Sequence, residues 1–97
     1  MGMFTEEVKC EFNGVEIAVS LFFDANMSAM LKMHINGKAV AENSVYSPLG
    51  LPKKVALLRS AFQSQDGEHI IEVYATGFFN QRLIIRIDEV ERARSKG

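Results

Sequence analysis

Apolar and polar residues alternate with a period of two along most of this chain, the pattern of strands with one buried face. Val8, Cys10 and Phe12 share one phase, and Val15, Ile17, Val19 and Leu21 share the other half of a hairpin. Between them stands Asn13-Gly14, a dipeptide suited to a two-residue turn whose central residues both need positive φ. The spacing predicts strands over Thr5–Phe12 and Val15–Phe23, pairing Phe12 with Val15, Cys10 with Ile17, Val8 with Val19 and Glu6 with Leu21. Glu7, Lys9, Glu11, Glu16, Ala18 and Ser20 then face outward. A one-residue slip would turn one strand's apolar set to solvent, so this register is favoured.

Two further dipeptides repeat the logic. Asn36-Gly37 joins Ala29–Ile35 to Lys38–Asn43, after a loop over 24–28. Leu31, Met33, Ile35 and Val40 share a face there, but Glu42 falls on it too, which points to a bend or bulge in that strand. Asp66-Gly67, read as the turn of a third hairpin, pairs Phe62 with Ile71, Ser60 with Val73, Leu58 with Ala75 and Arg59 with Tyr74. Leu57, Arg59, Ala61, Ile70, Glu72 and Tyr74 then face outward. Over Gln81–Asp88 the inward set is Leu83, Ile85 and Ile87, and matching it to Ile71 and Val73 requires an odd-length turn around Gly77–Asn80. Ser44–Lys54 carries Pro48 and Pro52 around Gly50 and reads as a crossing loop between two sheets. The tail Glu89–Gly97 places acids before bases, which suits a short helix or a frayed end.

Seven or so strands, mostly hairpin-connected and with no convincing amphipathic helix, make an all-β chain: a single antiparallel β-sandwich or flattened barrel. Ninety-seven residues, 47% of them hydrophobic, fit one domain with one core. Eleven basic and twelve acidic residues are interspersed, for a net charge of −1. That balance argues against a nucleic-acid surface and against a polybasic membrane surface. No apolar run reaches the ~20 residues that span a bilayer, and the first residues lack a signal-peptide pattern. The single cysteine suits a reducing compartment, so the expected location is cytoplasmic. The Cys…Trp…Cys signature of immunoglobulin domains is absent.

The candidate chemical groups are few. His34 falls outward beside Lys32 and opposite Ala39, with no second ligand in reach, and reads as a solvated histidine. His69 has the inward phase but sits beside a turn, where it can cap an open end of the sandwich or reach a pocket mouth. Cys10 points inward and reads as a small hydrophobe. Glu6, Glu7, Glu11 and Glu16 look like a charge-balanced strand region, not a cleft with paired carboxylates, and Asp88, Glu89 and Glu91 read the same way. No phosphate-loop, nucleophile-elbow or metal spacing occurs, so no cofactor, metal or catalytic residue is expected.

The constellation with most content is on the outer face of the third hairpin and the final strand: Arg59, Ile70, Glu72, Tyr74, Arg82, Ile84 and Arg86. Apolar residues framed by Arg and Glu suit an interface or an anion patch. Leu57 shares this outward reading, Phe22 is outward on the first hairpin, and Phe78 and Phe79 sit in a turn from which they can fold over the core. The expected function is therefore a non-enzymatic protein-interaction module, a homo-oligomer or a binder of another protein through an outer sheet face. The alternative is a small apolar-ligand domain, with five methionines and seven phenylalanines available to line a cavity. An enzyme is the weaker expectation, because no nucleophile, base and orienter can be assembled.

Overall fold

The computed structural model describes residues 4–46, 51–77 and 82–95, with side chains from Glu6 onward. The chain forms β1 (Phe4–Phe12), β2 (Val15–Phe23), β3 (Ser28–Ile35), β4 (Lys38–Tyr46), β5 (Leu58–Ser64), β6 (Gly67–Thr76), β7 (Arg82–Ile87) and β8 (Val90–Arg94). These make two antiparallel four-stranded meanders, β1-β2-β3-β4 and β5-β6-β7-β8. The β4–β5 connection is the link between sheets that the prolines suggest, although residues 47–50 of it lie outside the described residues. No helix occurs among the described residues.

The first hairpin has the register its pattern demands, from Glu6↔Leu21 to Phe12↔Val15. Asn13 and Gly14 take φ of 51° and 79°, the positive values that a type I′ turn requires. Asn36 and Gly37 repeat this at 52° and 82°. The misplaced Glu42 is resolved by a bulge. Because His34 pairs with Ala39 but Met33 with Ala41, Val40 is the extra residue. Beyond it the phase of β4 reverses: Ala41 turns toward the core, Glu42 turns outward opposite Lys32, and Val40 is not a core residue.

The third hairpin departs from the sequence reading. Gln65 and Asp66 form its turn, and Ser64 pairs with Gly67. Ser at the first position and Gly at the fourth suit a type I turn, and here Gly67 takes the positive φ, 124°. The register therefore slides by two residues. Phe62 lies opposite His69, Ser60 opposite Ile71, Leu58 opposite Val73 and Arg59 opposite Glu72 instead of Tyr74. An even slide preserves the faces, so the inward residues stay inward. Ile87, Ile85 and Leu83 pair with Ile71, Val73 and Ala75, across a five-residue connection from Thr76 to Arg82. Phe78 and Phe79, and the idea that they fold over the core, lie outside the described residues.

The tail is neither helix nor frayed end. Asp88 and Glu89 adopt φ of 52° and 69°, so a fourth tight turn sends residues 90–94 back along β7 as an eighth strand. Asp tolerates this left-handed region better than most residues, which explains the first position. A bulge follows: Arg86 pairs with Glu91 and Ile85 with Ala93, leaving Arg92 as the extra residue.

The inner faces of both sheets meet in one core. Ile17, Leu31, Met33, Ile71, Leu83, Ile85 and Ile87 are its largest fully buried side chains, with Val19 and Val73. Each such residue contributes roughly 1.5–3 kcal/mol by leaving water. Leu57, expected outward, is buried in this core, with its N–H donating to Val73 O. The sheet edges are fastened by side chains. Asn43 of β4 donates to Leu57 O at 2.8 Å. Ser95, just after β8, donates to Glu6 of β1 at 2.6 Å and accepts from Leu83 N–H at 2.8 Å.

Candidate functional site

The seven residues singled out on the second sheet do share its outer face. Arg59 faces Glu72, Glu72 faces Arg86, Tyr74 faces Ile84, and Arg82 lies opposite Thr76. What they form differs from an exposed apolar patch framed by charge. Ile84 is only 4% exposed, although it lies outside the main core. The Arg86 guanidinium lies over the Tyr74 ring, 4.4 Å from its centroid. Such a stack contributes about 0.5–1 kcal/mol where exposed. Arg59 and Glu72 approach to 3.8 Å, and Arg94 grips Glu91 with two bonds of 3.0 Å. The bulge at Arg92 makes that last pair possible, since it brings residues 91 and 94 to one face. The face is thus a ladder of alternating charges over a covered isoleucine, with Ile70 half-buried at one end.

The exposed apolar side chains gather elsewhere. Phe22 and Met30, each 39% exposed, face one another across β2 and β3. Tyr46 at the end of β4 is 71% exposed and Met27 of the intervening loop 55%. This end of the first sheet's outer face carries the group that the sequence reading sought on the second. Phe22 was recognisable as outward. Met30 has the same phase, and only the β4 bulge brings Tyr46 to their face.

A second assembly closes the opposite end of the sandwich, where the tight turns meet. His69 has the inward phase its position implies and is 12% exposed. Its ring contacts those of Phe12 and Phe62, at centroid distances of 4.8 and 5.5 Å. Its Nε2 lies 2.7 Å from Asp66 Oδ1 and its Nδ1 2.5 Å from Asp88 Oδ2. Asp66 Oδ1 also accepts from Ser64 Oγ at 2.5 Å and from Asn13 Nδ2 at 3.0 Å. Asp88 Oδ1 accepts from Ile70 N–H at 3.1 Å. His69 thus caps the open end, and the turns of both sheets converge on it.

The electrostatics follow from the geometry. Bonds from His69 and then Ser64 hold the Asp66 carboxyl at a pKa of about 2. His69, and after it the Ile70 N–H, lower that of Asp88. The same bonds, to Asp66 first and Asp88 second, raise that of the imidazole. With both nitrogens on carboxylates the doubly protonated ring can donate twice, and in that form it offers no free lone pair for general base work. Ser64 touches the carboxylate and not the ring, so the order of groups is not that of an activated nucleophile. The arrangement holds a proton and ties turns together.

The remaining candidates stay plain. Cys10 is half-buried, and desolvation raises its thiol pKa against the opposing effect of Arg92, so the reactive thiolate is disfavoured. His34 lies opposite Ala39, in a shallow groove of about 320 Å³ shared with Lys32, Val40 and Glu42. A similar depression of about 300 Å³ is lined by Arg59, Ile70, Glu72, Asp88 and Glu89. Both are lined by charged and apolar side chains together, the apolar ones being Ala39, Val40 and Ala41 in the first and Ile70 in the second. Among the described residues no group of three or more His, Cys, Asp or Glu could hold a metal ion. Comparison with known proteins finds no family model, no curated protein and no solved structure that matches this chain.

Proposed function

We propose that this chain is a non-enzymatic interaction module that self-associates through the outer face of its first sheet, at the end carrying Phe22, Met30 and Tyr46. The observation that carries the reading is the contrast in exposure between the two outer faces. On the second sheet, Ile84 is covered, Arg59 is paired with Glu72, Arg94 with Glu91, and Arg86 lies over Tyr74. On the first, an aromatic residue and a methionine stand opposite each other with more than a third of their surface in water. Exposed clusters of this composition mark interfaces more often than catalytic clefts.

A second copy is the partner that fits this face. The row beside Phe22 and Met30 is Ser20, Lys32 and Glu42, in which Lys32 and Glu42 lie 3.8 Å apart and largely exposed. A two-fold interface repeats each patch against itself. It can set the apolar residues of two copies together and Lys32 of each against Glu42 of the other. Light scattering on a sizing column tests this. The native chain should run as a dimer, and Phe22→Asp combined with Met30→Asp should run as a monomer that keeps the β-sheet circular dichroism signal and still melts cooperatively. A native chain that stays monomeric at all concentrations, or a variant of unchanged mass, would sink the reading.

A further inference from the structure

We propose that Asp66, His69 and Asp88 form a proton-dependent clip, which closes the turn end of the sandwich while the imidazole is doubly protonated and releases the β1–β2 turn when it is not. This inference concerns the end of the molecule opposite the Phe22 face and does not depend on self-association. Three turns meet at the clip: Asn13 from β1–β2, Asp66 from β5–β6 and Asp88 from β7–β8. The first belongs to one sheet and the other two to its partner sheet, so the clip is a joint between layers. Gln65 Nε2 adds a long contact to Asn13 O across the same joint.

The groups around the ring define what a proton changes. Asp66 and Asp88 face its two nitrogens. From β1 and β5 come Phe12 and Phe62, uncharged rings that shield it from water. From β8, Arg92 reaches the cluster through Phe12, lying 5.0 Å from that ring's centroid. Cys10, also on β1, has its thiol influenced by Arg92. A neutral imidazole has one N–H, so one of the two carboxylates must then meet a lone pair. Asp88 keeps its bond from Ile70 N–H and stays fixed in its turn. Asp66 Oδ1 meets His69 Nε2, Ser64 Oγ and Asn13 Nδ2 at once, so a lone pair arriving at Nε2 repels the one atom on which Asn13 rests.

The sign follows from linkage. The imidazole is raised above its ordinary 6.5, so its contribution is complete below that value and fades as pH rises through the higher folded value. The two carboxylates are lowered, so their contribution fades only in acid, for Asp66 near pH 2. The clip is therefore closed in mild acid and opens as pH rises through the raised folded value of His69.

Nuclear magnetic resonance reads both halves of the proposal in the full chain, through the His69 ring and the Asn13 side-chain amide. In the native protein the two should move together with one midpoint above pH 6.5. The informative variant is Asp88→Asn. The first sheet already carries Asn36 at the corresponding turn position, with its Oδ1 accepting from Glu16 N–H at 2.9 Å, so the turn survives the exchange. With one carboxylate gone, both midpoints should fall together toward the ordinary histidine value. A purely structural ring would leave the Asn13 signal still through the His69 titration, and that result overturns the clip. A native midpoint at or below 6.5 also overturns it. Should Asp88→Asn fail to fold, His69→Phe replaces it: loss of the Asn13 pH response supports the proposal, and persistence refutes it.

Discussion

The two sheets are built to one plan and finished differently. Each is a four-strand meander whose last hairpin turns on a residue with φ of 52°, Asn36 in one and Asp88 in the other. Both residues exchange backbone and side-chain bonds with the neighbouring strand. Asn36 N–H donates to Glu16 O and Asp88 N–H to Ile70 O, while their side chains accept from those same residues' N–H groups. Four residues on, each strand bulges, at Val40 and at Arg92. The next residue inward is Ala41 in one and Ala93 in the other, both packed against the core. Two residues further stand Asn43 and Ser95, each tying its edge to the opposite sheet. Between Leu31–Asn43 and Leu83–Ser95 only three of thirteen positions are identical, Leu31/Leu83, Ile35/Ile87 and Ala41/Ala93. The shared plan therefore rests on phase, turn conformation and bulge position more than on particular side chains. The outer faces, which the core does not constrain, are free to diverge into an apolar exposed end and a charge ladder.

That comparison is broken most severely at the outer apolar residues. Ile84→Ala empties a covered site and should cost about 2–3 kcal/mol, whereas Phe22→Ala on the other face should cost under about 1 kcal/mol. Urea melts with equal slopes measure both, and equal losses would contradict the contrast. The edge fasteners come next. Ser95→Ala leaves the Leu83 N–H without its side-chain acceptor, and Glu6 Oε1 already has no hydrogen-bond partner among the described residues, so about 1–3 kcal/mol should be lost. Asn43→Ala removes a single bond at a more exposed edge, and about 0.5–1.5 kcal/mol is expected in the same assay. The smallest effect sharpens the turns. Glu89 holds φ of 69° where the first sheet has Gly37 at 82°. Glu89→Gly should stabilise by about 0.5–1 kcal/mol. Gly37→Ala should destabilise by about 1 kcal/mol through backbone strain alone, because a Cβ there meets nothing within 4 Å. Opposite signs in thermal melts are the expected outcome.

The same contrast explains what could be read in advance. The first sheet announces itself, because Asn-Gly has few alternatives to a type I′ turn and the strands beside it alternate cleanly. Even its bulge left a trace, in the misplaced Glu42. The second sheet hid two turns. Asp66-Gly67 suits either the centre of a type I′ turn or the end of a type I turn, and the choice moved Arg59 from Tyr74 to Glu72. Asp88-Glu89 lacks glycine, and the strand after it has only Ala93 and the half-exposed Val90 on the inner side, so its pattern resembled a charged tail. The seven outer residues do share one face, but Ile84 is not exposed there, since covering it depends on its neighbours across β6, β7 and β8.

By itself the sequence determined the all-β class and the strand phase of β1, β2, β3, β5, β6 and β7, because burial acts on each strand through its own two-residue period. It also marked His69 as an inward residue at an open end. Only the tertiary structure decided that two carboxylates, one three and the other nineteen residues from the ring along the chain, would close on both its nitrogens. It alone decided as well which outer apolar side chains stay in water. Those outcomes depend on which turns and faces the two layers bring together, and no local period records that.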